Sequence, residues 1–275
     1  MTNSTVPYLP KAALMARRKR NTLKFFRNAV TLNLVLLVFV VSPALGADWY
    51  IRASAGVDWL KDANFSDDSS PALFGPVNGS DGRPVGAYGD FDTYVFVEGA
   101  AGMRLMPWLR TELALAYRPS MQYSGQANFI GVTGPQPVSG NADSLSGLAN
   151  FYFDINGLPG ISLGRFQPYV GGGIGFATNW LDAMTYRFPL LTRHTYSIIP
   201  SGNRTDLAFM FTAGTGFALT KHLILDLSYR YSDLGRVKTS AGTMLRDGSV
   251  SMEEIGGTSA PLRAHGILMG LRYHF

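Results

Sequence analysis

The chain has 275 residues with 31 glycines, 13 tyrosines, 17 phenylalanines and no cysteine, which excludes a disulfide-built scaffold and favours an all-β domain with many turns. Its net charge of +5 gives no case for a nucleic-acid partner, because residues 1–47 hold seven of the 24 basic residues and no acidic one. Beyond Ala47 the remaining 17 basic residues face 19 acidic ones, so no basic patch is left over.

The first segment has the three parts of a secretory signal peptide. A basic stretch runs through Arg27, an apolar run of 13 residues covers Ala29 to Val41, and the small residues of Ser42 to Ala47 suit cleavage after Gly46 or Ala47. The apolar run is shorter than the roughly 17–25 residues a helical membrane anchor needs. Residues 1–47 are therefore expected to be an N-terminal extension and cleaved signal peptide, and residues 48–275 one exported domain.

From Asp48 the hydrophobic period becomes two, the signature of strands with one apolar face. Strand one, Trp49 to Leu60, sets Trp49, Ile51, Ala53, Ala55, Val57 and Trp59 against Tyr50, Arg52, Ser54, Gly56 and Asp58. Strand two alternates from Thr93 to Leu105, and strand three runs from Leu109 to Arg118 after the Met106-Pro107-Trp108 turn. Strands four, five, six and seven are expected at Leu145–Ile155, Phe166–Thr178, Asp206–Leu219 and Leu223–Ser232. Gly171-Gly172-Gly173-Ile174-Gly175 superficially matches a dinucleotide fingerprint, but no helix follows it, and close strand approach in a small barrel explains it better. The last strand places Ile267, Met269, Leu271, Tyr273 and Phe275 on one face.

Connections between these eight strands alternate long and short. On antiparallel strands that gathers the short turns at one end and the long loops, Asn64–Gly89, Pro119–Asp143, the stretch after Thr178 and Asp233–Ala260, at the other. The polar strand faces carry Arg, Asp and Glu but no Lys. Outside the leader there are 14 arginines to three lysines, an enclosed-charge pattern rather than that of a solvated sheet. An eight-stranded antiparallel up-and-down transmembrane β-barrel follows, with short periplasmic turns and long extracellular loops. Its lumen has room only for side chains. Six basic and six acidic residues face inward, among them a charge network of Arg52, Glu98, Glu112, Asp226, Arg230 and Arg272, with Asp226 beside Arg272 and Arg52 in reach.

Gly99 to Arg118, Phe166 to Ala177 and Leu225 to Gly235 resemble the eight-stranded opacity-type outer-membrane proteins, of the OmpA-like transmembrane-domain kind. That resemblance implies the Gram-negative outer membrane, and members that act as adhesins, immune-facing surface proteins, haem binders or plain structural barrels. It also implies that Ile267, Met269, Leu271, Tyr273 and Phe275 form the insertion signal read by the barrel-assembly machinery. Outer-membrane lipid and lipopolysaccharide are expected partners.

Three functions from different classes compete: a surface protein with a structural or interaction role in its loops, a narrow porin-like channel, and a lipid-modifying enzyme. The loops hold Phe65, Leu73, Phe74, Phe129, Trp180, Tyr186, Tyr196 and Ile199, which are expected to anchor a host or envelope partner. A charge-balanced lumen disfavours the channel. His194, His222, His265 and His274 lack metal spacing, and His265 has no matching serine on its strand, so no catalytic, metal or cofactor residue and no cofactor is expected. Asp67-Asp68 and Glu253-Glu254 are best explained as solvated loop charges.

Overall fold

A computed structural model of the chain describes residues 48–60, 62–67, 78–130, 132, 134–190, 196–246 and 249–275. The expected signal peptide, Lys61, Asp68, Leu73, Phe74 and His194 lie outside the described residues. The strands in chain order are β1 (Asp48–Leu60), β2 (Phe65–Asp67), β3 (Gly86–Phe91), β4 (Tyr94–Met106), β5 (Leu109–Ala127), β6 (Pro137–Asp154), β7 (Phe166–Leu181), β8 (Met184–Arg187), β9 (Tyr196–Ile199), β10 (Gly202–Ala218), β11 (Leu223–Lys238), β12 (Gly242–Arg246), β13 (Ser249–Ile255) and β14 (Thr258–His274). One 3-10 turn, Ile155–Gly157, is the only helical element among the described residues.

Eight long strands pair antiparallel in a ring: β1 with β4, then β5, β6, β7, β10, β11 and β14. The ring closes because β14 also pairs with β1, from Tyr50 opposite His274 to Leu60 opposite Ala264. Closure leaves the long strands no free edge. Strict alternation then sorts the side chains. Tyr50, Arg52, Gly56 and Asp58 of β1 are buried inward, whereas Ile51, Ala53, Ala55 and Val57 are exposed outward.

The exposed outer face is apolar all the way round, with Val95, Phe151, Phe176, Phe211 and Met269 each more than half exposed. A contiguous apolar surface of that extent is incompatible with water and matches the hydrocarbon band of a membrane barrel. Aromatic pairs mark the short-turn end, including Trp108 with Phe153 at 5.5 Å, Phe166 with Phe217 at 5.2 Å and Tyr273 with Phe275 at 5.5 Å.

At the loop end the strands run further than their alternation indicates. β5 continues past Pro119 to Ala127, and β6 begins at Pro137, so most of the expected second loop is a hairpin. A bulge between Arg118 and Met121, with Ser120 at φ 54°, shifts the parity by one. Below it even-numbered residues of β5 point inward; above it Met121 and Tyr123 do. β11 carries a similar irregularity between Asp233 and Arg236, with Gly235 at φ 77°.

The other loops contribute strands of their own. β2 bridges β14 and β3, and β3 pairs with the upper part of β5. β8 pairs with β6, β9 with β8, β12 with β9 and β13 with β12. The barrel wall thus extends beyond the apolar band, and an apolar core that includes Leu60, Phe65, Met121, Tyr123, Val138, Leu181, Met184, Tyr186 and Leu262 occupies its inside, continuous with Met210, Tyr152 and Tyr169 lower in the barrel. Phe65, Tyr186 and Ile199, expected as exposed loop anchors, are buried here, and Phe129 is partly buried against Tyr186 and Phe188. Their burial is hydrophobic: once the loops form strands, these side chains are the ones that fill the space between them.

Candidate functional site

The interior below the apolar core holds five arginines and five carboxylates, Arg52, Arg110, Arg118, Arg230 and Arg272 with Asp58, Glu98, Glu112, Asp154 and Asp226, none more than 8% exposed. They form three tiers. Nearest the loop end, Arg118 donates to Asp58 at 3.0 Å and to Ser146 at 2.9 Å, while its guanidinium lies 4.8 Å from the centre of the Phe96 ring. Tyr94 donates to the same Asp58 at 3.4 Å.

In the middle tier Glu98 sits between two arginines, Arg52 at 2.8 Å and Arg230 at 2.5 and 3.0 Å. Arg52 also pairs with Glu112 through two of its nitrogens, one of them Nε at 3.3 Å. Glu112 further accepts from the Tyr152 hydroxyl at 2.6 Å, the Asn150 amide at 3.1 Å and the Tyr50 hydroxyl at 3.2 Å. The glycine run of β7 makes this possible. A Cβ at Gly173 would collide with the Asn150 amide, and one at Gly171 would come within 2.5 Å of the Tyr152 ring. The glycines on β7 thus give two β6 side chains the room to reach a carboxylate on β5.

The tier nearest the short turns holds Arg110 with Asp154 at 2.6 Å and Arg272 with Asp226 at 3.1 Å. The Arg110 guanidinium is 4.9 and 5.1 Å from the ring centres of Tyr152 and Tyr169, and that of Arg272 is 5.5 Å from Tyr50. Arg104 reaches Asp48 at 3.4 Å at this rim, and Asp206 at the opposite end is taken by Arg204 at 2.7 Å. Arg104 and Asp206 belong to the six basic and six acidic residues that the alternation turns inward.

All six residues of the anticipated charge network lie in this interior, but they divide between tiers. Asp226 sits beside Arg272, whereas Arg52, although directly opposite Arg272 in register, turns to Glu98 and Glu112. Arg110, Arg118, Asp58 and Asp154 complete the network. All four are among the six basic and six acidic residues that the alternation turns inward. Ile267, Met269, Leu271, Tyr273 and Phe275 form the exposed outer face of the closing strand's end. The side chains of Asp67, Glu253 and Glu254 lie outside the described residues.

A closed antiparallel barrel with an apolar exterior and a paired, charged interior defines an integral outer-membrane β-barrel protein. The chain belongs to the outer membrane protein beta-barrel domain family, whose model matches residues 31–275. That family places it in the outer membrane of a Gram-negative envelope. An uncharacterized protein of Brucella abortus (strain 2308) is 30% identical over 207 residues, which cover 69% of this chain and 68% of that protein. A Brucella melitensis relative shows the same figures. Among solved structures, the outer membrane protein OprG from Pseudomonas aeruginosa gives a TM-score of 0.50 at 11% identity over 83% of this chain and 96% of its own. Neisserial surface protein A gives 0.40 at 17% over 84% and 99%. At 11% identity the likeness to OprG concerns the fold alone.

Proposed function

We propose that this is a non-conducting outer-membrane surface protein, exported through a cleaved signal peptide, whose structural or interaction role is carried by its extracellular end. The observation supporting this reading is the double obstruction of the interior. Three tiers of buried ion pairs occupy its lower part, and buried apolar side chains occupy the loop end. An ion crossing it would have to break pairs whose partners are then left buried and uncompensated. Catalysis is disfavoured because the outward-facing His265 bonds to the Tyr229 hydroxyl rather than to a serine nucleophile.

With Phe65, Tyr186 and Ile199 buried, the apolar groups best placed among the described residues to meet a partner are Ile130 and Leu190, in the second and third loops, 63% and 65% exposed. The refolded protein in a planar bilayer should give no steady conductance above the detergent background. Steady openings would replace this reading with the channel. Replacing Ile130 and Leu190 by serine should weaken adhesion of expressing cells to their target surface without changing barrel assembly, and unchanged adhesion would remove the interaction role from these residues.

A further inference from the structure

On one side of the barrel the outer wall changes from apolar to charged within two residues. On β1, β11 and β14 the outward side chains are apolar or aromatic until His265, which stands directly between Trp59 of β1 and Tyr231 of β11 in the pairing registers. Its ring is stacked 6.4 Å from Trp59 at an interplanar angle of 18° and lies 5.2 Å from Tyr231. The Tyr229 hydroxyl is 2.6 Å from Nδ1. That bond fixes the ring and commits Nδ1, leaving Nε2 to face a further partner.

One step farther along the same face, Arg263 stands opposite Asp233. Its Nε donates to the Asp233 carboxylate at 3.0 Å, while the side chain stays 61% exposed. Arg263 is thus held at Nε while most of its side chain stays exposed. Together with Asp62 and the three aromatic residues, Arg263 and His265 line an open cleft of about 520 Å³.

Position decides what such a cleft meets. Aromatic residues at the edge of an apolar band mark the membrane interface, so a cation one register step beyond them stands at the level of lipid headgroups. A guanidinium tethered at Nε offers two terminal N–H edges in the plane that matches phosphate oxygens. With the Tyr229 hydroxyl donating to Nδ1, the imidazole offers an N–H donor at Nε2, and the faces of Trp59 and Tyr231 offer flat surfaces for an apolar ring face. The nearby carboxylates of Asp62 and Asp233 disfavour a free inorganic anion. A phosphate carried on a lipid is delivered at high local concentration by its own acyl chains and can overcome that repulsion.

We propose that this cleft binds the phosphate of an outer-leaflet lipid headgroup, with Arg263 as the anion fork, His265 as a second donor and the Trp59, Tyr231 pair as a platform for the headgroup ring. This site is separate from Ile130 and Leu190 and from the lumen. It gives the barrel a preferred lipid on one side of its circumference.

The test is retention of lipid by the purified full-length protein in native mass spectrometry. The probes are a phosphorylated, acylated glucosamine disaccharide, the same lipid with its phosphates removed, and inorganic phosphate. The phosphorylated lipid should be retained at one copy, and Arg263→Gln should lower its retention about tenfold. Arg263→Lys should fall between, since it keeps charge without the fork. His265→Phe keeps the ring stack, loses the donor, and should give a smaller loss. Gel mobility before and after heating should be unchanged in all three variants, which separates loss of the site from misfolding. Equal retention of the dephosphorylated lipid, or undiminished retention by a folded Arg263→Gln protein, would overturn the proposal. Displacement of the lipid by equimolar inorganic phosphate would assign the cleft to free anions instead.

Discussion

Glu98 and Arg230 provide the most direct measure of what holds the interior together. Arg230 donates to both carboxylate oxygens of Glu98, at 2.5 and 3.0 Å, from a distance of 132 positions along the chain, and both side chains are at most 2% exposed. At an effective dielectric near 20, charges this close attract by roughly 4–5 kcal/mol, and desolvation offsets much of it. The middle tier contains Arg52 and Arg230 against Glu98 and Glu112, so it is neutral as it stands. Glu98→Gln leaves it with one excess positive charge, and Arg230→Met leaves it with one excess negative charge. Each single change should therefore cost about 3–5 kcal/mol. The double change leaves Arg52 paired with Glu112, restores neutrality and should cost about 1 kcal/mol, a coupling far outside the ~0.5 kcal/mol scatter of independent sites. Urea unfolding in detergent micelles, followed by circular dichroism and by gel mobility without heating, gives all four values. If the double variant loses as much as the two single ones combined, the tier is not held together by charge pairing.

Two further outcomes follow from the ends of the molecule. Changing Tyr273 and Phe275 to serine should deplete the protein from the outer-membrane fraction far more than it lowers stability of the refolded barrel in detergent; normal membrane yield would show that the exposed face of the closing strand is not an insertion signal. In the first loop, Asp81 accepts from the Asn128 amide at 2.7 Å and from the Arg83 backbone and side chain, which holds its carboxyl down from 3.8 to about 2. Because the folded value lies below the unfolded one, the turn's extra stability is present above about pH 4 and disappears as pH falls through about 2. The Arg83 amide resonance should titrate with a midpoint near 2, and a midpoint near 3.8 would refute the bonding.

The long strands were legible in the sequence because a barrel wall faces two unlike media, and that contrast imposes a period of two on every residue crossing it. β1, β4 and β7 begin within a residue of the positions their alternation indicates. Legibility failed where the contrast ends. Above the apolar band the wall faces water, and the bulges at Ser120 and Gly235 shift parity, so the alternation breaks although the strand continues. Phe65 and Tyr186 look like exposed loop aromatics for the same reason, since each lies on a strand of three or four residues, too short to show a period. In the interior, the alternation identifies which charges face inward. It does not say which arginine meets which carboxylate, because the stagger between strands decides that. The row formed by Trp59, His265 and Tyr231 was invisible for a related cause: its members lie on three strands and become neighbours only through pairing.

Ring closure has a consequence for how the molecule is made. Its two ends meet, with Asp48 bonded to His274 across 226 positions and Phe275 bonded to the carbonyl of Trp49. Bringing such distant segments together costs about 5 kcal/mol of chain entropy, with no compensation until the closing strand has two neighbours. The seam pairs β1, the first long strand of the barrel, with β14, the one farthest from it along the chain. Closure must therefore wait for β14, and until then β1 exposes an unpaired edge and the apolar face lacks its lipid. Before the ring closes, the chain therefore carries an open strand edge and an apolar face together, the combination most prone to aggregate, whatever the barrel does once it has closed.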